Sequence, residues 1–337
     1  MINKIYEKIK SFIKANYKFL IFLTFLIFMF YYEFPYIIYK SGGTIDLENR
    51  VVIDTEYEQD GSLSMSYVTA IKGTAPFILL SFVMPDWDLV PLSDVTTDDN
   101  DYEDVLEIGK EYLNEGIDNA IIAAFNESGY GIQIKNTINK VMYLSDKSDT
   151  DIEIGDRIIS INNNSVNSLE EVKNYINTLN EGDKVNIEVL HDNKKYVRYA
   201  NIYKDEDNTL KIGIAFKTSY EYETEIPVTV KMKDNESGSS GGLMMSLAIY
   251  NALTEEDITK GLNIVGTGSI NSDGTVEEIG GVKYKVIAAT KNNADIFLCP
   301  KENYKEAIDI KNKRNLDIEI VSVGSLRDAI NYLEEKR

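Results

Sequence analysis

Residues 234–253 read DNESGSSGGLMMSLAIYNAL, a run of serine and glycine set directly against the helix-spaced apolar residues Leu243, Leu247 and Tyr250. A flexible linker does not normally end on the first turn of an amphipathic helix. Glycines there let backbone amides approach a ligand, and the free first-turn N–H groups with the helix dipole favour negative charge. That chemistry suits an oxyanion beside a nucleophilic serine, which then needs a base. The one histidine, His191, falls in an expected hairpin turn beside Asp192 and Asn193, where an exposed turn residue fits better than a catalytic one, so a Ser-His-Asp triad is disfavoured. A lysine kept neutral by burial is the economical alternative, because desolvation lowers its pKa towards the working pH. Lys283 and Lys285 both lie in GGVKYKVIAA, residues 280–289. In a helix Lys285 shares a face with Gly281, Val282 and Ala289, whereas Lys283 points about 160° away beside Ile287. Spacing leaves both open. Taken singly, a serine in the run also fits a helix N-cap and either lysine a snorkelling surface residue.

The elements that must hold such a site sit in a chain of 337 residues, 43% hydrophobic and 27% charged, which has room for an anchor and two or three folded units. Cys299 is the only cysteine, which excludes an intrachain disulfide and a thiolate zinc site. No metal or other cofactor is called for. Residues 17–39 read YKFLIFLTFLIFMFYYEFPYIIY, without charge from Phe19 to Tyr32. A helix from about Tyr17 into Tyr36–Tyr39 is predicted to cross a hydrocarbon core of roughly 30 Å, with the tyrosines at headgroup level. No small-x-small site follows, which favours a retained anchor over a cleaved signal peptide. Lys4, Lys8, Lys10, Lys14 and Lys18 precede the span, so the N-terminus is expected in the cytoplasm and the rest of the chain outside. The first forty residues are net positive, so the remainder carries more than the whole net charge of −20. Such a surface repels phosphate backbones and disfavours nucleic acid as a partner.

Residues 41–128 predict an N-terminal α/β subdomain: a hairpin of Arg50–Tyr57 and Ser62–Ile71, a short helix opening at Pro76, a solvated loop over Ser93–Asp104 and a helix over Tyr102–Asn126. Residues 129–205 follow as strands at Ser128–Ile134 and Lys140–Leu144 and the string DIEIGDRIISIN at 151–162. A capping box at Ser168 and Glu171 opens a helix, and strands are expected at Val185–Leu190 and Lys195–Ile202. This order, with I-x-x-G-D-x-I-x-x-I-N, resembles the PDZ domains attached to bacterial proteases. The resemblance implies a hydrophobic-Gly-hydrophobic loop whose amides hold a peptide's C-terminal carboxylate while the peptide adds as a strand. Tyr130, Gly131 and Ile132 fit that loop, and Leu169, Val172 and Ile176 would line the groove; each also fits the ordinary core of a small β-rich domain. Asn163 replaces the usual turn glycine, which asparagine tolerates.

From about Leu210 onwards the chain resembles the proteolytic domain of Lon, in particular the small membrane-anchored bacterial proteases that join a PDZ domain to it. Gly238-Ser239-Ser240-Gly241-Gly242 matches the motif G-P-S-A-G, which makes Ser240 the nucleophile, with backbone groups of Ser239 and Gly241 beside the oxyanion. Gly280-Gly281-Val282-Lys283-Tyr284-Lys285 matches G-G-x-x-x-K, which makes Lys285 the base, and Thr267-Gly268 corresponds to the threonine that hydrogen-bonds the lysine. Leu298-Cys299-Pro300 matches the strand after the lysine helix. Serine at 239 and glycine at 241 depart from the motif, predict a looser loop, and leave Ser237 and Ser239 as neighbouring hydroxyls. The resemblance implies an α+β chain with an N-terminal transmembrane helix (1–40), the 41–128 subdomain, a PDZ-like β-rich domain (129–205) and a Lon-type α/β proteolytic domain (206–337). It also implies a serine endopeptidase acting on peptides or unfolded proteins, anchored in the membrane, with a homo-oligomeric, hexameric ring by analogy. The sequence holds no G-x-x-x-x-G-K-[ST], so action without ATP is expected. The competing reading is a peptide-binding surface scaffold with a degenerate protease domain.

Overall fold

The structure is a computed structural model that describes residues 2–55, 57, 59–96, 102–166, 169–205 and 207–336. Contacts divide it into two units, Met1–Lys40 with Thr69–Val95, and Ser41–Val68 with Thr96–Arg337. Along the first part of the chain run α1 (Ile2–Tyr31), β1 (Glu33–Asp46), β2 (Val51–Ile53), β3 (Ser62–Thr74), α2 (Ala75–Ser81), β4 (Asp88–Pro91) and α3 (Tyr102–Ser128). The apolar helix stops at Tyr31 and does not continue into Tyr36–Tyr39 as the sequence suggested. Pro35 cannot donate a helical hydrogen bond, and Ile37 and Ile38 are 2% and 0% exposed in strand β1. In the smaller unit β1 pairs antiparallel with β4, Tyr36 opposite Pro91. Pro76 lies in the first turn of α2 as expected. Part of the expected Ser93–Asp104 loop, residues 97–101, lies outside the described residues.

The second block is β5 (Ile132–Leu144), β6 (Arg157–Ile161), β7 (Asn164–Ser165), α4 (Leu169–Ile176), β8 (Lys184–His191), β9 (Lys194–Asn201), β10 (Tyr203–Lys204), β11 (Leu210–Lys211) and β12 (Ile214–Thr224). Its sheet order is β12-β5-β6-β8-β9, with β12 at the edge. The two strands expected at 128–134 and 140–144 are one, because β12 pairs with β5 from Ile132 to Leu144 and keeps it extended. Asn162 and Asn163 take left-handed conformations after β6, and Asp192 and Asn193 do so in the β8–β9 turn, where primed turns match strand twist. The capping box expected at Ser168 lies outside the described residues. Val141, Ile158, Ile161, Val172, Ile176, Val185 and Ile187 belong to this block's own core.

The third block is β13 (Val228–Val230), α5 (Gly242–Leu253), β14 (Asn263–Gly266), β15 (Ser269–Ile270), β16 (Val276–Glu277), α6 (Val282–Lys291), β17 (Ile296–Pro300), α7 (Tyr304–Arg314), β18 (Glu319–Val323) and α8 (Leu326–Glu335). In the larger unit the sheet order is β18-β17-β14-β3-β1, with β18, β17, β14 and β3 parallel. The expected hairpin of 50–57 with 62–71 does not form: β2 pairs with β13, and β3 lies between β14 and β1. Helix α5 is buried on nearly every side, which is why its apolar residues run all round it. Leu47, Leu63 and Met65, with Ala120, Ile121 and Phe125 of α3, share one core with Leu243, Leu247 and Leu253 of α5. Residues 41–128 are therefore no separate subdomain. Their 41–68 part and α3 belong to the same folded layers as the C-terminal block, and the PDZ-like block is inserted into that fold.

Candidate active site

The serine–glycine loop is held from several sides. Gly238, at φ +91°, donates its N–H to Gly109 O of α3 at 2.7 Å. Ser239 packs its backbone against Gly116 of α3, where an added Cβ would come within 3.1 Å of Ser239 Cα, and its hydroxyl meets Ser269 Oγ at 2.7 Å. A Cβ on Gly241 would lie 2.4 Å from Met65 Sδ, and one on Gly242 would lie 2.8 Å from Ile270 Cγ2. The departures from the family motif thus do not loosen the loop as expected; Met65 of β3 fills the space that an alanine methyl would need. Ser240 follows half-buried, its carbonyl accepting Gly268 N–H at 2.8 Å and Thr267 Oγ1 at 3.0 Å. Among the described residues the N–H groups of Ser240 and Gly241 have no protein acceptor, and they sit at the start of α5.

Lys285 arrives from α6. Gly281 caps that helix at φ +75°, and a Cβ there would lie 2.9 Å from Val68 Cγ2, so this glycine of the pair is required while Gly280 faces open space. The buried Asn303 grips Ile279 by both backbone groups, at 2.9 Å and 3.0 Å, and fixes the approach. Lys285 is 3% exposed and donates to Thr267 Oγ1 at 3.0 Å. Among the described residues no carboxylate pairs with it, and burial pushes its pKa down to about 7. Lys283 lies instead over the Tyr284 ring at 5.3 Å. Thr267 is itself fixed by its N–H bond to Leu298 O of β17, 3.0 Å. Lys285, Thr267 and the Ser240 backbone therefore form one hydrogen-bonded chain; no bond joins Lys285 Nζ to Ser240 Oγ among the described residues.

His191 is not the exposed turn residue expected. It ends β8, and its Nδ1 lies 2.8 Å from Asp156, a carboxylate with no exposed surface. Glu153, Asp156 and His191 are close enough to share a cation, but Arg198 pairs with both carboxylates, at 2.7 Å and 3.4 Å, and fills that role.

The expected carboxylate loop is placed elsewhere than a groove. Gly131 donates its N–H to Glu225 Oε2 at 2.9 Å and accepts from Glu225 N, while Tyr130 and Ile132 pack on the core that holds α5. Val172 and Ile176 are buried inside the PDZ-like block and do not line an open surface. A second hydrophobic-Gly-hydrophobic string is Ile212-Gly213-Ile214, which no sequence signal sets apart from the first. It opens the edge strand β12, beside β11 and α4. Gly213 is left-handed at φ +75°, and Ser145 N–H donates to Gly213 O at 2.8 Å. With Ile214 opposite Leu144, that bond turns the N–H and C=O of Ile214 away from β5, towards the unpaired edge. The N–H groups of Ile212 and Gly213 have no acceptor among the described residues.

Residues 199–334 match the Lon protease (S16) C-terminal proteolytic domain, and residues 128–197 match the PDZ domain. The chain is 31% identical to Lon protease of Campylobacter concisus over 45% of this chain and 19% of that protein. It is 31% identical to Lon protease of the Aster yellows witches'-broom phytoplasma over 34% of this chain and 14% of that protein. It thus spans under a fifth of the length of these relatives. The PDZ domain of an SdrC-like protein from Listeria monocytogenes aligns with 29% identity over 23% of this chain and 85% of that chain, at a TM-score of 0.22. This chain carries a PDZ domain and a Lon-type C-terminal proteolytic domain behind an N-terminal helix long and apolar enough to cross a membrane.

Proposed function

We propose that the chain is a serine endopeptidase that acts without ATP, with Ser240 as nucleophile, Lys285 as general base and Thr267 as the residue that orients the lysine. The observation that carries this reading is the lysine: an amine buried with no carboxylate partner among the described residues, poised near neutrality, one hydroxyl away from the Ser240 backbone. Neutral Lys285 swings from Thr267 Oγ1 to take the Ser240 proton, and the serine attacks a peptide carbonyl. The N–H groups at Ser240 and Gly241, at the start of α5, stabilise the oxyanion. Protonated Lys285 gives its proton to the leaving amine, and water activated by the same lysine releases the acyl group.

The substrates proposed are peptides and unfolded or extended segments, which a serine-lysine site can take into reach without an ATP-driven step. In this reading α1 anchors the protein with its N-terminus in the cytoplasm and the catalytic domain outside, and the domain assembles as a homo-oligomeric ring. Peptides dock as an added strand on the β12 edge, their carboxylate at Ile212-Gly213-Ile214. The test is cleavage of unfolded casein-like proteins and peptide libraries, with and without ATP, followed by mass spectrometry for the protein and its Ser240→Ala and Lys285→Ala variants. Cleavage that is lost in both variants and indifferent to ATP is expected. No cleavage by the folded protein across varied peptides would favour the peptide-binding scaffold.

A further inference from the structure

The smaller unit exposes apolar side chains that its own packing does not account for. Helix α2 and the turn after it present Leu79, Phe82 and Val83 at 62%, 74% and 72% exposure, with Phe77, Leu80 and Met84 also open. Six large apolar residues are open within eight positions, and a soluble surface seldom leaves so dense a cluster uncovered. Helix α2 packs beside α1, and the Trp87 ring lies by Phe77, centroids 6.3 Å apart, under the Lys40 ammonium at 5.2 Å.

The end of α1 says what covers the patch. Its uncharged run from Phe19 to Tyr31 covers roughly 20 Å at about 1.5 Å per residue, against a hydrocarbon core of about 30 Å. A span that short is met by drawing flanking apolar groups into the bilayer. Tyr32, stacked on Phe28, and Phe34, edge-on to Tyr32, continue the apolar surface past the helix end, and tryptophan, tyrosine and lysine at that level are the groups that favour the headgroup boundary.

We infer that α2 and the Phe82–Met84 turn are a second membrane contact, which seats the smaller unit in the bilayer interface beside the exit of α1 and shallowly immerses Leu79, Phe82 and Val83. The inference rests on the reading of α1 as a membrane anchor. It commits the patch to lipid rather than to a second copy of the chain or a protein partner.

Trp87 is the only tryptophan, so its fluorescence reports this surface alone. The full chain is reconstituted into phosphatidylcholine–phosphatidylglycerol vesicles, floated on a density gradient, and read with lipids brominated at successive acyl positions. Flotation together with blue-shifted Trp87 emission, quenched most by bromines nearest the headgroups, is expected. The double variant Phe82→Asp, Val83→Asp should still float through α1, keep its peptidase activity, and lose both the blue shift and the quenching. A chain that floats while its Trp87 stays unquenched overturns the second contact and leaves the anchor standing, including the case in which another copy of the chain shields the patch. A chain that fails to float overturns the anchor and the inference with it.

Discussion

An ammonium group with 3% of its residue exposed and, among the described residues, no carboxylate to pair with is held against its preference for water, and two measurable consequences follow for Lys285. As the proposed base Lys285 would work only when neutral, so kcat/KM should climb about tenfold per pH unit below a midpoint near 7 and level above it. The same burial affects folding. The folded lysine releases its proton at about 7 and the unfolded one near 10.5, so between those values the unfolded chain holds the extra proton and stability rises with pH. Below about 7 the penalty is fully present, on the order of several kcal/mol at about 1.4 per pKa unit. Lys285→Met should therefore abolish cleavage while raising the thermal midpoint at pH 6, with a much smaller gain at pH 10. At Gly241 the constraint is space. Gly241→Ala should lower kcat by on the order of ten- to a hundredfold by displacing the loop from Met65 Sδ, and Met65→Ala in the same chain should restore part of it.

Helix α3 holds the serine loop on one face and the β5–β12 ribbon on another. Gly109, Gly116 and Asn119 meet Gly238, Ser239 and Ile270, while Glu111 pairs with Lys140 at 2.8 Å, Glu115 with Lys217 at 2.7 Å, and Asp118 accepts from Ser219 and Tyr222. Burial pushes the Asp118 carboxyl up from its usual range even against those two hydroxyl donors. Gly116→Val should push the Ser239 backbone away and cut kcat, with little change in peptide affinity at β12; single-turnover kinetics and peptide titration read the two separately. The extent of α3 is legible in the sequence because Leu113, Ile117, Ala120, Ile121 and Ala124 recur at helical spacing over several turns. Ser240, Thr267 and Lys285 of the proposed site come from the match to short family motifs, since helix spacing alone leaves Lys283 and Lys285 both open. The partner of β2 was not, because β13 is far along the chain and no local pattern names a distant strand. Tyr130-Gly131-Ile132 and Ile212-Gly213-Ile214 carry the same string, and only the topology reveals that the second opens an edge strand while the first is bound by Glu225.

Within the larger unit that ribbon joins the PDZ domain to the C-terminal domain. The PDZ domain is entered along β5 and left along β12, and the two strands remain paired from Leu144 opposite Ile214 to Ile132 opposite Thr224, where the C-terminal domain resumes. A peptide added to the free edge at Ile214 therefore lies on the same strand that reaches α3 through Ser219 and Tyr222. If docking there favours one setting of the ribbon, peptide binding and catalytic competence are linked, and the coupling in binding free energy must be reciprocal. A peptide with an apolar last residue and a free carboxylate should bind this edge, and its C-terminal amide should bind more weakly, because the amide cannot accept from the Ile212 and Gly213 N–H groups as an anion does. Gly213→Val tests the location. Its side chain would strain a φ of +75° and approach Ser148 Cβ at 2.5 Å, closing the loop without touching Ser240, Thr267 or Lys285. The expected result is loss of the carboxylate preference in fluorescence polarisation, with hydrolysis of short peptides that lack a docking C-terminus preserved. Retention of that preference in Gly213→Val would move the peptide site off the β12 edge, and with it the route by which the inserted domain could speak to the serine loop.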